Sequence, residues 1–187
     1  MSARPKHREA IVAAAVRLFR RQGFAATGLA QIVEASGAPK GSLYHYFPAG
    51  KAAIGAAAIQ AAGKKVATTI AALPRGERPG DFQREYARLM AGWMRASGYR
   101  DGCPIAATVL EEAADDDAIA GAARAAFAAW RAVLADHLRA AGRDAGSADR
   151  LALLSVTAME GALVLARAER ADAPILETGE ALAALMD

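Results

Sequence analysis

Three observations predict an all-α protein. Hydrophobic residues make up 54% of the 187-residue chain, and much of that share is alanine, which favours helix over strand. Apolar side chains recur at intervals of three and four, the period of one helix face. No segment shows the strict alternation of a half-buried strand. The helices divide into an N-terminal three-helix helix-turn-helix domain over residues 1–51 and a larger helical domain over residues 52–187.

The first helix is expected from Lys6 to Gln22. Ile11, Ala15, Leu18 and Phe19 fall at helical spacing, the basic cluster Arg17, Arg20 and Arg21 lies near its end, and Gly23 stops it. Thr27 stands where an N-cap would open the second helix, Leu29-Ala30-Gln31-Ile32-Val33, its hydroxyl free to cap that helix or to meet a phosphate. Gly37 makes the turn into a third helix. That helix is short, because Pro39 suits its first position and Pro48 cannot continue it. Within it Leu43 and Phe47 form an i, i+4 apolar pair, while Gly41, Tyr44 and His45 point the other way. One side docks and the other can read DNA bases.

Lys40 and Lys51 each sit at a helix start, where a cation opposes the helix dipole. A bound phosphate would relieve that opposition, since the exposed N–H groups of a helix start attract anions; two solvated lysines are the alternative. The charge distribution favours phosphate. Through Lys51 there are 8 Lys+Arg against 2 Asp+Glu, a surplus of six, and afterwards 15 against 18, a deficit of three. Positive charge gathered at one end is the footprint of nucleic-acid binding.

From Lys51 onward, Ile54, Ala58, Ile59, Val66, Ile70 and Leu73 trace a long helix ended by the loop from Pro74 to Gly80. Asp81 is expected to cap the next, whose face carries Phe82, Tyr86, Leu89, Met90, Trp93 and Met94. A short element spans Cys103 to Glu112. The acidic run Asp115 to Asp117 opens a helix striped by Ile119, Ala123, Phe127, Trp130, Leu134, His137 and Leu138. A loop from Gly142 to Ala148 then precedes two last helices, about Asp149 to Glu169 and about Pro174 to Met186.

The penultimate helix is apolar on nearly every side and must be covered all round. One face can pack on the chain's own core. The other is expected to meet a second copy, because small residues permit close approach, although a central helix in a monomeric bundle would also be covered. Glu160 and Arg167 interrupt its apolar run, which reads better as a buried helix than as a membrane span. No secretory leader is recognisable, and the single cysteine, Cys103, fits a reducing compartment. A cytoplasmic protein is expected. His7, His45 and His137 lie far apart, Cys103 has no His nearby, and no metal spacing, phosphate loop or nucleophile elbow appears. This argues against an enzyme and calls for no cofactor or metal.

Taken in order, Phe19, Gly23-Phe24, Thr27, Ile32, Gly37, Lys40-Gly41-Ser42-Leu43-Tyr44, Phe47 and Lys51 resemble the head of the TetR/AcrR family of bacterial transcriptional regulators. Pro48-Ala49-Gly50 is one residue longer than the commonest form of that joint. This Pro-x-Gly-Lys joint, Gly102-Cys103-Pro104-Ile105 and Met159-Glu160-Gly161-Ala162 are similar to the LmrA/YxaF-like branch. The resemblance implies a ligand-responsive repressor released from a palindromic operator by a small apolar or aromatic effector. Its DNA-binding residues would be Thr27, Lys40, Gly41, Ser42, Tyr44, His45, Tyr46 and Lys51. Trp93, Met94, Cys103, Phe127, Trp130 and Met159 would line the effector pocket; any one of them alone reads better as core filler, and the resemblance is what raises the set as a whole. Leu154, Ala158, Gly161, Ala162, Leu165 and Leu182 would form a homodimer interface. The competing reading is an α-helical carrier of small hydrophobic molecules with no DNA function, which leaves the basic head unexplained.

Overall fold

The computed structural model describes residues 3–187, with side chains from Lys6 onward. The described residues form nine helices and no strand: α1 (Ala3–Gln22), α2 (Leu29–Ser36), α3 (Lys40–Tyr46), α4 (Lys51–Ala71), α5 (Asp81–Ala96), α6 (Pro104–Glu112), α7 (Asp117–Ala140), α8 (Ala145–Glu169) and α9 (Ala173–Met186). They gather into two compact units. Among the described residues, one comprises 3–64 and 103–126, the other 65–102 and 127–187.

In the first unit, α1, α2 and α3 close around Ile11, Phe19, Phe24, Ile32, Leu43 and Phe47, all buried, with Ile54 of α4. The Phe19 and Phe24 rings meet at 5.1 Å, which fixes the turn after α1 against the helix it leaves. Gly37 ends α2 at φ +64°, a left-handed conformation that a residue without a Cβ adopts at no steric cost. The Arg17 guanidinium donates to the Ala35 carbonyl at 3.0 Å, so α1 also supports the last turn of α2.

The N-cap of α2 is Gly28, not Thr27. Thr27 is fully buried, and its hydroxyl donates to the Gly23 carbonyl at 2.7 Å. The capping task passes to Gln31, whose Oε1 accepts from the Gly28 N–H at 2.8 Å. Thr27 thus clamps the α1–α2 turn.

The second unit is a helical layer in which α9 packs against both α5 and α8. Along α8 the buried residues are Ala148, Ala152, Ser155, Met159, Ala162 and Ala166, a repeat of four and three that seams it to its own protomer. Gly179 lets α9 approach α5, since a Cβ there would lie 2.2 Å from the Cβ of Ala87. Arg84 on α5 holds the C-terminus: it donates to both carboxylate oxygens of Glu180 at 2.9 Å and to Asp187 at 2.8 Å.

Two helix starts depart from expectation. Asp81 is the first residue of α5, after an N-cap at Gly80, and its carboxylate turns back to accept from the N–H groups of Glu77 and Arg78. It fastens the preceding loop and leaves its own helix uncapped. Helix α8 starts at Ala145, because Asp144 caps it by accepting from the Ser147 N–H at 2.9 Å. The Gly-rich stretch expected as loop is therefore its first turn.

Candidate nucleic-acid interface and second-unit core

Helix α3 is 7 residues long and docks through Leu43, which is fully buried. Its outer side presents Lys40, Gly41, Tyr44 and His45, all exposed, with Tyr44 retaining 53% of its surface. An aromatic phenol left that open at the end of a basic unit is available for a base edge or phosphate. Ser42 is half-buried, 3.4 Å from Nδ1 of His7, and Tyr46 is half-buried with its ring edge-on to His45 at 4.9 Å. The expected reading set therefore divides into exposed groups and supporting groups. Thr27 belongs with neither, since a hydroxyl without exposed surface cannot reach a phosphate.

No acidic residue occupies the first turn of α3 or α4, so Lys40 and Lys51 stand at uncompensated helix starts. Lys40 projects into solvent. Lys51 is partly engaged: its ammonium donates to the Ala25 carbonyl at 3.2 Å and lies 4.3 Å from the Phe24 ring centroid. It braces the α1–α2 turn while remaining half exposed.

Glu111 was not among the residues expected to matter. From α6 its carboxylate accepts the Ala25 N–H and comes close to Gly23, whose φ of +86° already disfavours a side chain there. The α1–α2 turn is thus held by Thr27 from within, Lys51 from α4 and Glu111 from α6. Only the joint absence of a Cβ at Gly23 and the presence of an acid on a short, distant helix could have hinted at this.

In the second unit, Trp130 is buried and meets half-buried Phe127 edge-to-face at 5.3 Å; Met94 and Met159 are buried and Trp93 is half-buried. Cys103 belongs to the first unit, where it caps α6 with Sγ 3.5 Å from the Ala106 N–H. A buried polar pair was also missed. The Ser155 hydroxyl donates to Gln83 Oε1 at 2.7 Å, and Gln83 Nε2 has no hydrogen-bond partner among the described residues.

The face of α8 opposite its buried seam carries Leu153, Leu154, Gly161, Val164 and Leu165, all exposed, with Ala158 half-exposed; Leu176 and Leu185 of α9 are exposed as well. Of the residues expected at a dimer seam, Leu154, Ala158, Gly161 and Leu165 lie on this open face, whereas Ala162 and Leu182 sit in the protomer's own core. Only 33% of the most apolar stretch of α8 is buried. By length and composition alone, α7 and α8 would suffice to cross a bilayer.

Residues 11–58 match the family model for bacterial regulatory proteins of the tetR family, and residues 79–181 match that for the C-terminal domain of LmrA/YxaF-like transcriptional regulators. The HTH-type regulator YxaF of Bacillus subtilis is 32% identical over 187 residues, covering 100% of this chain and 98% of its own. LmrA, an HTH-type transcriptional regulator of the same organism, is 27% identical over 96% of each chain. Among solved structures, a TetR regulator from Chloroflexus aurantiacus superposes with a TM-score of 0.78 at 30% identity, covering 98% of this chain and 96% of its own. The regulatory protein TetR from Rhodobacter sphaeroides gives 0.82 at 26% identity over 94% and 96% of the two chains.

Proposed function

Because the chain belongs to the TetR family of DNA-binding transcriptional regulators, with a C-terminal domain of the LmrA/YxaF-like kind, we propose that it is a homodimeric repressor released from a palindromic operator by a small apolar effector. Membership already decides between a regulator and a carrier without DNA function, or an enzyme, in favour of the regulator. The observation that carries the finer reading is the exposed face of α3, where Lys40, Tyr44 and His45 stand clear of a braced head.

In this reading Lys40 and Lys51 take phosphates, and Gly41, Tyr44 and His45 approach base edges, with Ser42 and Tyr46 supporting them. Two heads related by a two-fold axis across the open α8–α9 face address half-sites about one helical turn apart. The effector binds among Trp93, Met94, Phe127, Trp130 and Met159 of the second unit. Linkage requires that operator weaken effector binding by the factor by which effector weakens operator binding.

DNase footprinting on the DNA flanking the chain's own gene tests this. A protected two-fold symmetric stretch that an apolar compound abolishes is the expected result. Protection unaffected by any member of a broad apolar library would remove the effector from the account and leave the DNA binding.

A further inference from the structure

In the turn between α1 and α2, within the first unit, two consecutive carbonyls are held by side chains. The Lys51 ammonium takes that of Ala25, and the carbonyl of Ala26 accepts from the side-chain amide of Gln22 at 2.9 Å. A carbonyl only accepts, so the NH2 of Gln22 faces the turn, and its second hydrogen goes to Gln31 Oε1 at 3.2 Å. The same Oε1 accepts the Gly28 N–H at 2.8 Å. A backbone N–H only donates, so the Gln31 amide is fixed twice over with its oxygen on the cap of α2. Both lone pairs of that oxygen are used. Nε2 keeps two N–H groups with no acceptor among the described residues, on a side chain that is exposed. A free amide in water offers either end. This one offers only donors.

In a helix-turn-helix the helix before the reading helix crosses the nucleic-acid backbone. Here that helix is α2, whose exposed edge is Ala30, Gln31, Glu34 and Ala35. The ammonium of Lys51 and the amide of Gln31 meet on the same turn, one holding the Ala25 carbonyl and the other reached through Gln22 from that of Ala26. Two carboxylates stand close by: Glu111 on the Ala25 N–H and Glu34 one turn along α2. They offset the Lys51 charge in part, so an anion is recognised at this edge by an oriented neutral donor and not by a surplus of cations. Phosphate oxygens only accept, and at least half of protein–DNA hydrogen bonds go to the backbone.

We propose that Gln31 is a further DNA-contacting residue, whose Nε2 donates to one backbone phosphate in each half-site while its Oε1 holds that donor in place through the Gly28 cap. Such a contact positions the head without reading sequence. It rests on the proposed reading of the head, in which Lys40 and Lys51 face the DNA.

The variant Gln31→Glu separates the two ends of the amide. A carboxylate still accepts from Gly28 and Gln22, and a negative charge at a helix start favours the helix, so the melting temperature should hold or rise. The donor becomes an acceptor facing an anion, so the full chain should bind DNA at least about tenfold more weakly. The loss should appear both on the duplex that the wild-type chain selects from a random-sequence pool and on mixed-sequence duplex at low salt, which makes it independent of any palindrome. Replacing the phosphates of the selected duplex one at a time by neutral methylphosphonates then locates the contact. One phosphate in each half-site should weaken the wild-type chain when neutralised and should restore binding to Gln31→Glu. Should Gln31→Glu fail to fold, Gln31→Ala takes its place in the scan and must lose its dependence on that same phosphate. Full DNA affinity in Gln31→Glu, or a loss relieved equally at several phosphates as long-range repulsion would be, overturns the proposal and leaves Gln31 as a cap. Lys40→Ala and Lys51→Ala, scanned alongside, should each lose a different phosphate; a scan that both leave unchanged would count against the reading of the head, whatever Gln31 does.

Discussion

Replacing Gly161 by arginine separates folding from dimerisation more cleanly than any other single change in this chain. Within one protomer a Cβ at Gly161 meets nothing within 4 Å, so the new side chain has space to leave α8. Removing a glycine from a helix interior favours the helix by about 0.5–1 kcal/mol, so the isolated protomer should fold at least as well as before. The open face around it is a different matter. Leu153, Leu154, Val164, Leu165, Leu176 and Leu185 are 48%, 43%, 68%, 54%, 39% and 57% exposed. At about 2 kcal/mol for each fully buried side chain, covering what remains exposed contributes about 6 kcal/mol per protomer and about 12 kcal/mol per dimer. Association costs about 4–15 kcal/mol, so the margin is narrow. An unpaired guanidinium buried in each copy costs several kcal/mol, on the order of the whole margin. Sedimentation velocity should therefore show a monomer that keeps its helical content, melts at a lower temperature because the partner's contribution to the folded state is gone, and has lost operator affinity. A variant that remains a normal dimer with full DNA affinity would refute the assignment of the seam to this face.

Other perturbations follow from the same contacts. Lys40→Ala should lower the slope of log affinity against log salt by about 1 for each half-site with no change in melting temperature, because Lys40 is an exposed residue; an unchanged slope would take Lys40 off the phosphate list. Glu111→Ala removes a charge-assisted hydrogen bond to the Ala25 N–H, for which about 1.5–3 kcal/mol is an upper range. Thermal melts and operator titrations should both weaken, and an unaltered operator affinity would confine Glu111 to a structural role. Acid should loosen the second unit, because hydrogen bonds from Arg84 hold Glu180 and Asp187, and those from the Arg78 and Glu77 backbone hold Asp81, below the usual carboxylate range. Stability from such depressed groups is complete above their unfolded values and is lost as pH falls through the folded ones. Arg84→Gln should flatten that acid limb in a melting-temperature series, and an identical limb would exclude these pairs as its source. Trp130→Ala should reduce saturable quenching of tryptophan fluorescence by a planar aromatic compound, provided the variant survives a stability loss of about 3–5 kcal/mol.

What the sequence made legible is the part governed by local rules. Helix α3 runs from Lys40 to Tyr46 because prolines bracket it and Leu43 and Phe47 share a face. Its exposed and docking sides follow from helical periodicity alone. The misplacements arise where a polar side chain had two backbone partners within reach. Thr27 bonds the Gly23 carbonyl behind it, Asp81 bonds N–H groups before it, and Asp144 captures the Ser147 N–H to start α8 inside a presumed loop. Sequence spacing does not choose between such partners; tertiary packing does. The same limit explains Ala162 and Leu182. Helix α8 has two apolar seams half a turn apart, and periodicity shows both without saying which faces the protomer. Glu111 and the Gln83–Ser155 pair depend on residues far apart in the chain, so nothing local announces them.

The claim that α3 reads DNA is tested most directly by selecting bound fragments from a pool of random-sequence duplexes with the full-length chain, then repeating the selection with Tyr44→Ala. The account predicts an enriched palindrome with half-sites about one helical turn apart. It also predicts that Tyr44→Ala, which leaves Lys40 and Lys51 in place, relaxes the sequence preference more than it weakens binding overall. A pool that yields no preferred sequence, or the same sequence with the same stringency for the variant, would contradict it.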